Sequence, residues 1–244
     1  MRLLRFRGEG DYLSQRNSDP LPSYAASFGY ALALDQAGLF ERLSEDSLFG
    51  CHTYDILGRL VSRDLLDSVL EIAFLSEMLG WRPESSIRVL DIGAGYGRFA
   101  HRLSAAFPKI EVRCTDAIPT STFLAEFYLK FRKAMGAAIL PLDEAATFGG
   151  PVDIACNIHS WSECTLQSIR WWLDRLDHIQ PRYLFVVPHT EAGLAREADN
   201  TTPPFLPEIA NHGWKLKVKR AKYYKSPFLM EKGVFPAWYF LYER

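Results

Sequence analysis

The segment Val89–Arg98, embedded in IRVLDIGAGYGRFAHRL, constrains the fold of this chain more than any other stretch. Ile87, Val89, Leu90 and Ile92 supply a short apolar run of the kind that forms a buried strand. Asp91 sits at its end. Gly93, Gly95 and Gly97 then alternate with Ala94 and Tyr96, and a helical pattern starts at once. Glycine lets the backbone turn sharply and lets a ligand approach with no Cβ in the way. The spacing is D-x-G-x-G-x-G. A loop that cradles a dinucleotide pyrophosphate reads G-x-G-x-x-G, with its third glycine three residues after the second. Here Gly97 follows Gly95 by two, so no pyrophosphate needs to rest on this helix start.

Downstream, strand-like and helical segments alternate. Glu111–Asp116 (EVRCTD) reads as a strand ending in an acid. A third strand near Ala137–Leu142 leads to Asp143. Val152–Ile158 (VDIACNI) and Tyr183–Val187 (YLFVV) are short apolar runs. This alternation predicts an α/β protein with a parallel, doubly wound sheet. Trp214–Lys219 alternates apolar and basic residues, and Ala237–Tyr242 closes the chain as a last strand.

The glycine loop resembles motif I of the class I S-adenosylmethionine (SAM)-dependent methyltransferases. That resemblance implies a Rossmann-like fold: a seven-stranded, mostly parallel sheet with an antiparallel last strand, preceded here by an N-terminal helical cap. It implies SAM as cofactor, with its amino-acid half over Asp91, Gly93, Ala94, Gly95 and Gly97. Asp116, beside Ala117, would hold the two ribose hydroxyls; a carboxylate accepts from two vicinal hydroxyls at once. Asp143 would meet the adenine amine, and Asn157 would lie at the cofactor. Three further segments, CTDAIPTSTFLAEFYLKFR, NIHSWSECTLQSIRWWLDRL and RYLFVVPH, look like the sugar O-methyltransferase family. This resemblance runs from about Tyr54 to the C-terminus and implies methyl transfer to a hydroxyl of a saccharide or glycosylated metabolite, as in natural-product biosynthesis.

In open α/β sheets the ligand lies beyond the carboxyl ends of the strands. The segment after the fourth core strand, Asn157-Ile158-His159-Ser160-Trp161-Ser162-Glu163, is therefore expected at the acceptor. An alcohol must lose its proton as the new C–O bond forms, and imidazole suits that duty near neutral pH. His159 is the candidate base. Glu163 would orient an imidazole or bind hydroxyls, and Trp161 would stack on a sugar face. His189, after the fifth strand, is the second candidate base. Tyr96 would close over the methionine tail or pack beneath the loop. The run Phe123, Phe127, Tyr128, Phe131 has helical spacing and reads as core.

Residues 1–80 read as an arm and helical cap, and residues 81–244 as the SAM-binding core. The arm reaches to about Pro22. Tyr24–Phe40 is helix-compatible, Glu41–Tyr54 reads as a polar turn or short helix, and Ser62 is placed to cap a helix to Leu79 with an apolar stripe at Leu66, Val69, Leu70, Ala73 and Phe74. The cap would cover the active-site cleft or form an oligomer contact such as a homodimer. Arg63 would pair with the SAM carboxylate, and His52 would line the acceptor pocket.

The net charge of −1 gives no general attraction to nucleic acid or an anionic membrane, so the expected partner is a small-molecule acceptor. No run of 18 apolar residues exists, and the start lacks the features of a signal peptide. Cys51, Cys114, Cys156 and Cys164 form no C-x-x-C pair and read as free thiols of a cytoplasmic protein. No metal is expected. Carboxylates do not cluster at the strand exits, and Cys156, which with His159 and Cys164 mimics zinc spacing, should point into the sheet.

Overall fold

The computed structural model describes residues 5–7 and 20–244, which divide into two compact units. The N-terminal unit holds the described residues to Pro83 and also Lys222–Pro236, a segment that the sequence alone places with the core. Most of the expected arm lies outside the described residues. Helix α1 (Leu21–Leu34) buries Tyr24, Ser27, Phe28 and Ala31, the i, i+3, i+4, i+7 stripe of an amphipathic helix. The helix does not continue to Phe40 as its composition suggests. Asp35 stops it by turning its carboxylate onto the backbone N–H groups of Leu39 and Phe40, at 2.7 and 2.8 Å, where α2 (Leu39–Arg42) begins.

A hairpin of β1 (Tyr54–Ile56) and β2 (Arg59–Val61) follows, between the polar segment and the helix that the sequence marks. Its turn places Leu57 at φ 55° and Gly58 at φ 76°, the two left-handed residues of a primed hairpin turn, and Asp55 closes it by accepting from the Gly58 N–H at 2.9 Å. Helix α3 (Arg63–Leu79) starts as expected at Ser62, whose hydroxyl accepts from Leu65 N–H at 2.9 Å, and ends at left-handed Gly80. Arg7 is buried in this unit. Its guanidinium bonds Glu45, Asp46 and Asp64 at 2.7–3.2 Å.

The second unit spans Glu84–Ala221 and Ala237–Arg244. Its strands are β3 (Ile87–Ile92), β4 (Ile110–Thr115), β5 (Ala137–Ile139), β6 (Ile154–Ile158), β7 (Tyr183–Val187), β8 (Lys215–Ala221) and β9 (Trp238–Glu243). They form one sheet in the order β5-β4-β3-β6-β7-β9-β8, with β9 antiparallel to both its neighbours and the remaining pairs parallel. The connecting helices are α4 (Arg98–Ala106), α5 (Pro119–Phe131), α6 (Leu142–Ala145), α7 (Leu166–Ile179) and α8 (Leu206–Asn211). Strand β3 is buried at five of its six positions because helices cover both faces of a parallel sheet. One core layer joins Leu90, Ile92, Trp161, Leu173, Leu184, Val186, Phe205 and Phe240.

The aromatic run on α5 departs from expectation. Tyr128 is buried, but Phe123, Phe127 and Phe131 are 62, 44 and 49% exposed. A helix lying on a sheet presents one face to it. Ala125, Tyr128 and Leu129 take that face, and a four-residue series displaced from it turns outward.

Between β8 and β9 the chain passes through Lys222–Pro236, which contains α9 (Pro227–Lys232) and belongs to the N-terminal unit. Lys222 is buried there. Its ammonium pairs with Asp67 and donates to the Val234 and Phe235 carbonyls at 2.8 and 3.1 Å. Burial works to lower its pKa, but Asp67, Tyr223 and Glu71 together outweigh this and the net direction is upward. A group held above its ordinary pKa contributes fully at neutral pH and loses that contribution only as pH rises through the raised value. Lys222→Met is expected to cost about 3 kcal/mol, because it removes a buried cation from the buried Asp67 carboxylate. A urea unfolding titration checks this, and the further change Asp67→Asn should recover part of the loss. Among the described residues no helix is long and apolar enough to cross a membrane.

Candidate active site

The glycine loop leaves β3 through three left-handed glycines: Gly93 at φ 73°, Gly95 at φ 57° and Gly97 at φ 84°. Two of them meet the protein. A Cβ on Gly93 would lie 1.9 Å from the Ser160 hydroxyl and 2.3 Å from its Cβ, and one on Gly97 would touch Leu129 at 3.2 Å. A Cβ on Gly95 would meet nothing within 4 Å. Gly95 is thus the point at which a bound molecule can approach the bare backbone. The loop is pinned from β4: Gly93 N–H and Ala94 N–H both donate to the Thr115 carbonyl, at 2.8 and 3.1 Å. Asp116 follows, accepting from Gly95 N–H at 2.9 Å and Ile118 N–H at 2.8 Å. The next residue, Ala117, is exposed. Asp91 is buried under the loop, and Asp143 is exposed in the first turn of α6.

The parallel register of β6 and β7 pairs Ile158 with Val187, so the residues just past both strands leave side by side. His159 and His189 stand there with ring centroids 5.3 Å apart. Glu163 lies on the same side, its carboxylate 3.8 Å from His189 Nε2, too long for a direct hydrogen bond. His189 and Glu163 are exposed and His159 is half-buried. His159 has φ 69° and ψ −33°, an uncommon conformation for a residue with a Cβ that costs of order 1–3 kcal/mol. It is held by its N–H on the Val187 carbonyl at 2.7 Å and by its carbonyl accepting from Ser162 N–H at 3.0 Å. The Ser162 hydroxyl accepts in turn from His189 N–H at 3.0 Å, which ties both histidine-bearing segments together. Burial first, then the Glu163 and Asp116 carboxylates, push the Cys164 thiol above its ordinary range, so Cys164 stands in the field of both acids.

Two sequence assignments change. Asn157 is buried, and its amide is spent on the chain: Nδ2 donates to the Ile92 carbonyl at 2.9 Å and to the Ser160 hydroxyl at 2.6 Å, while Oδ1 accepts from Trp161 N–H at 3.0 Å. Both amide hydrogens are thus taken by the chain, and Asn157 holds the loop region from behind. Trp161 is 1% exposed, edge-on to Phe205 in the core layer, because the 3-10 turn Ser160–Glu163 directs it inward. No ring face remains for a sugar.

Tyr96 packs edge-on against Tyr128, whose hydroxyl bonds His101. Arg63 and His52 belong to the N-terminal unit. Arg63 pairs with Asp67 at 3.1 Å and lies 3.6 Å over the Phe235 ring, while His52 is exposed ahead of β1. Ser160 and Ser162 escape sequence reasoning, since nothing in a serine's identity marks it as a strut. Two groups of metal-ligating type converge among the described residues, Glu45–Cys51–Asp64 and Asp174–Asp177–His212. Each contains a bound guanidinium, Arg7 in the first and Arg244 in the second. Cys156 is fully buried in β6.

No protein-family model matches the sequence, and no curated protein matches it. Solved structures do. The [4+2]-cyclase SpnF aligns at 12% identity and a TM-score of 0.54, over 90% of this chain and 95% of that one. A candidate sarcosine dimethylglycine methyltransferase from Galdieria sulphuraria gives 12% and 0.54, over 90% and 97%. A geranyl diphosphate methyltransferase, solved with sinefungin, gives 11% and 0.51, over 74% and 78%. With its strand order and its single antiparallel strand, this chain has the Rossmann-like fold of the class I SAM-dependent methyltransferases.

Proposed function

We propose that this protein is a SAM-dependent O-methyltransferase whose acceptor is a small hydroxylated molecule of the sugar type. The fold is shared by a cyclase as well as by methyltransferases, so the reading rests on the site. The observation that carries it is the convergence of His159, His189 and Glu163 at adjacent strand exits.

The residues at the glycine loop suit the cofactor. Gly95 offers backbone with no side chain in the way, and Asp116 presents a carboxylate beside it. Bound SAM supplies an electrophilic methyl group. The chain's own residues do the rest. An imidazole accepts the acceptor's hydroxyl proton, and its neighbour donates a hydrogen bond to a second hydroxyl. Glu163, on the same side and 3.8 Å from His189 Nε2, orients the imidazole or binds hydroxyls of the acceptor. The uncommon His159 backbone, fixed by its bonds to the Val187 carbonyl and the Ser162 N–H, sets where its imidazole leaves the strand end.

Calorimetric titration with S-adenosylhomocysteine tests the cofactor site. Wild type should bind, and Asp116→Ala should lose most of the affinity while keeping its circular dichroism spectrum. Equal affinity in the variant would remove Asp116 from the site. Screening hydroxylated acceptors by S-adenosylhomocysteine release then tests the substrate class. Turnover with amines alone would overturn the hydroxyl reading.

A further inference from the structure

We infer that Ser160, braced by Asn157, is a positioning residue that transmits cofactor binding at the glycine loop to the turn carrying His159 and Glu163. The inference rests on the proposed cofactor site. Ser160 fills the space that a side chain at position 93 would need, with its hydroxyl 1.9 Å and its Cβ 2.3 Å from where a Gly93 Cβ would stand. The first glycine of the loop is therefore required by a protein contact. The same hydroxyl accepts from Asn157 Nδ2 at 2.6 Å, and that amide also holds the Ile92 carbonyl, the last of β3 before the loop. The other end of the Asn157 side chain accepts from Trp161 N–H inside the 3-10 turn. Strand end, glycine and turn are thus joined through two hydrogen-bonded side chains, one of them set directly against Gly93. Interiors packed this way pass displacement on because they have little room to absorb it. A molecule that settles on Gly95 and restrains the loop must also restrain Ser160, and with it the left-handed residue His159 one position earlier.

Hydrogen exchange measured by mass spectrometry separates this coupling from direct contact. The Trp161 and Ser162 amide protons are bonded inside the protein, to Asn157 Oδ1 and the His159 carbonyl, so a ligand cannot protect them by touching them. On adding S-adenosylhomocysteine to wild type, exchange should slow both in residues 93–97 and in residues 160–163, the latter by roughly five- to tenfold, the size of an ordinary coupling between sites. Ser160→Gly removes both the contact and the hydroxyl. It should keep the slowing at residues 93–97 and lose it at residues 160–163. Ser160→Ala, which retains the Cβ against Gly93, should fall between the two and serves as the probe if the glycine variant folds poorly. Undiminished slowing at residues 160–163 in both variants would overturn the strut. Failure of wild type to bind S-adenosylhomocysteine would instead overturn the cofactor reading, and this inference with it.

Discussion

His159→Ala is expected to lower turnover of a hydroxyl acceptor by about 10²–10⁴-fold, the usual contribution of a positioned general base. S-adenosylhomocysteine affinity should be nearly unchanged, because the imidazole stands past β6 and the loop and Asp116 stand past β3 and β4. The structure adds a sharper variant. His159 occupies φ 69°, where glycine pays no Cβ penalty, so His159→Gly should be at least as stable as wild type while losing the same activity. A residue kept for structure would show the reverse, a stability loss with activity retained. His189 is 5.3 Å away, ring to ring, and is the alternative base. If His159→Ala turns over within a few-fold of wild type and His189→Ala is inactive, the proton goes to His189. In wild type the rate should rise with pH as an imidazole loses its proton and then level off. If neither histidine matters, the acceptor is an amine or an already acidic hydroxyl.

Gly93→Ala carries the largest expected effect on the fold around the site. The left-handed φ costs an alanine roughly 1–2 kcal/mol, and the 1.9 Å approach to the Ser160 hydroxyl forces a shift in a packed region worth roughly 1–3 kcal/mol more. The sum, roughly 2–5 kcal/mol, is large against the marginal stability of a domain and should appear as a clear drop in the unfolding midpoint. Gly95→Ala should bear the conformational cost alone, since its Cβ meets nothing, yet it should weaken S-adenosylhomocysteine binding more than its stability loss suggests. Adding Ser160→Gly to Gly93→Ala should recover the steric part and leave the conformational part. If the double variant is no more stable than Gly93→Ala alone, the close contact with Ser160 is not what requires glycine there.

Much of this architecture is local and therefore legible in the chain. β3, the glycine loop and α4 follow one another within a few residues, and the apolar runs of β6 and β7 match their burial. The capping of α3 by Ser62 needs only its immediate neighbours. Asp116 is marked by its place at a strand end. Other features are masked by their own composition. The hairpin at residues 54–61 is built on Leu57 in a left-handed conformation that leucine does not announce. The break after α1 comes from an aspartate that caps forward onto the next helix.

What the amino-acid order determined by itself is the sheet-building pattern and the chemistry available at each strand exit, because hydrophobic period, turn chemistry and residue type are short-range properties. What only the tertiary structure decided is which of those groups meet. His159 and His189 become neighbours because β6 and β7 pair in parallel with Ile158 opposite Val187. Trp161 and Asn157 look from their position like ligand contacts, but the turn after β6 sends the first into the core, and the Ser160 hydroxyl and Ile92 carbonyl take both amide hydrogens of the second. Phe123, Phe127 and Phe131 of α5 face outward because the helix has only one sheet-facing side and Ala125, Tyr128 and Leu129 occupy it. Gly93 and Gly95 are the same residue in the same motif, yet one is required by a serine and the other is open to a ligand. That difference depends on a side chain from a distant strand exit, and no local reading of the loop contains it.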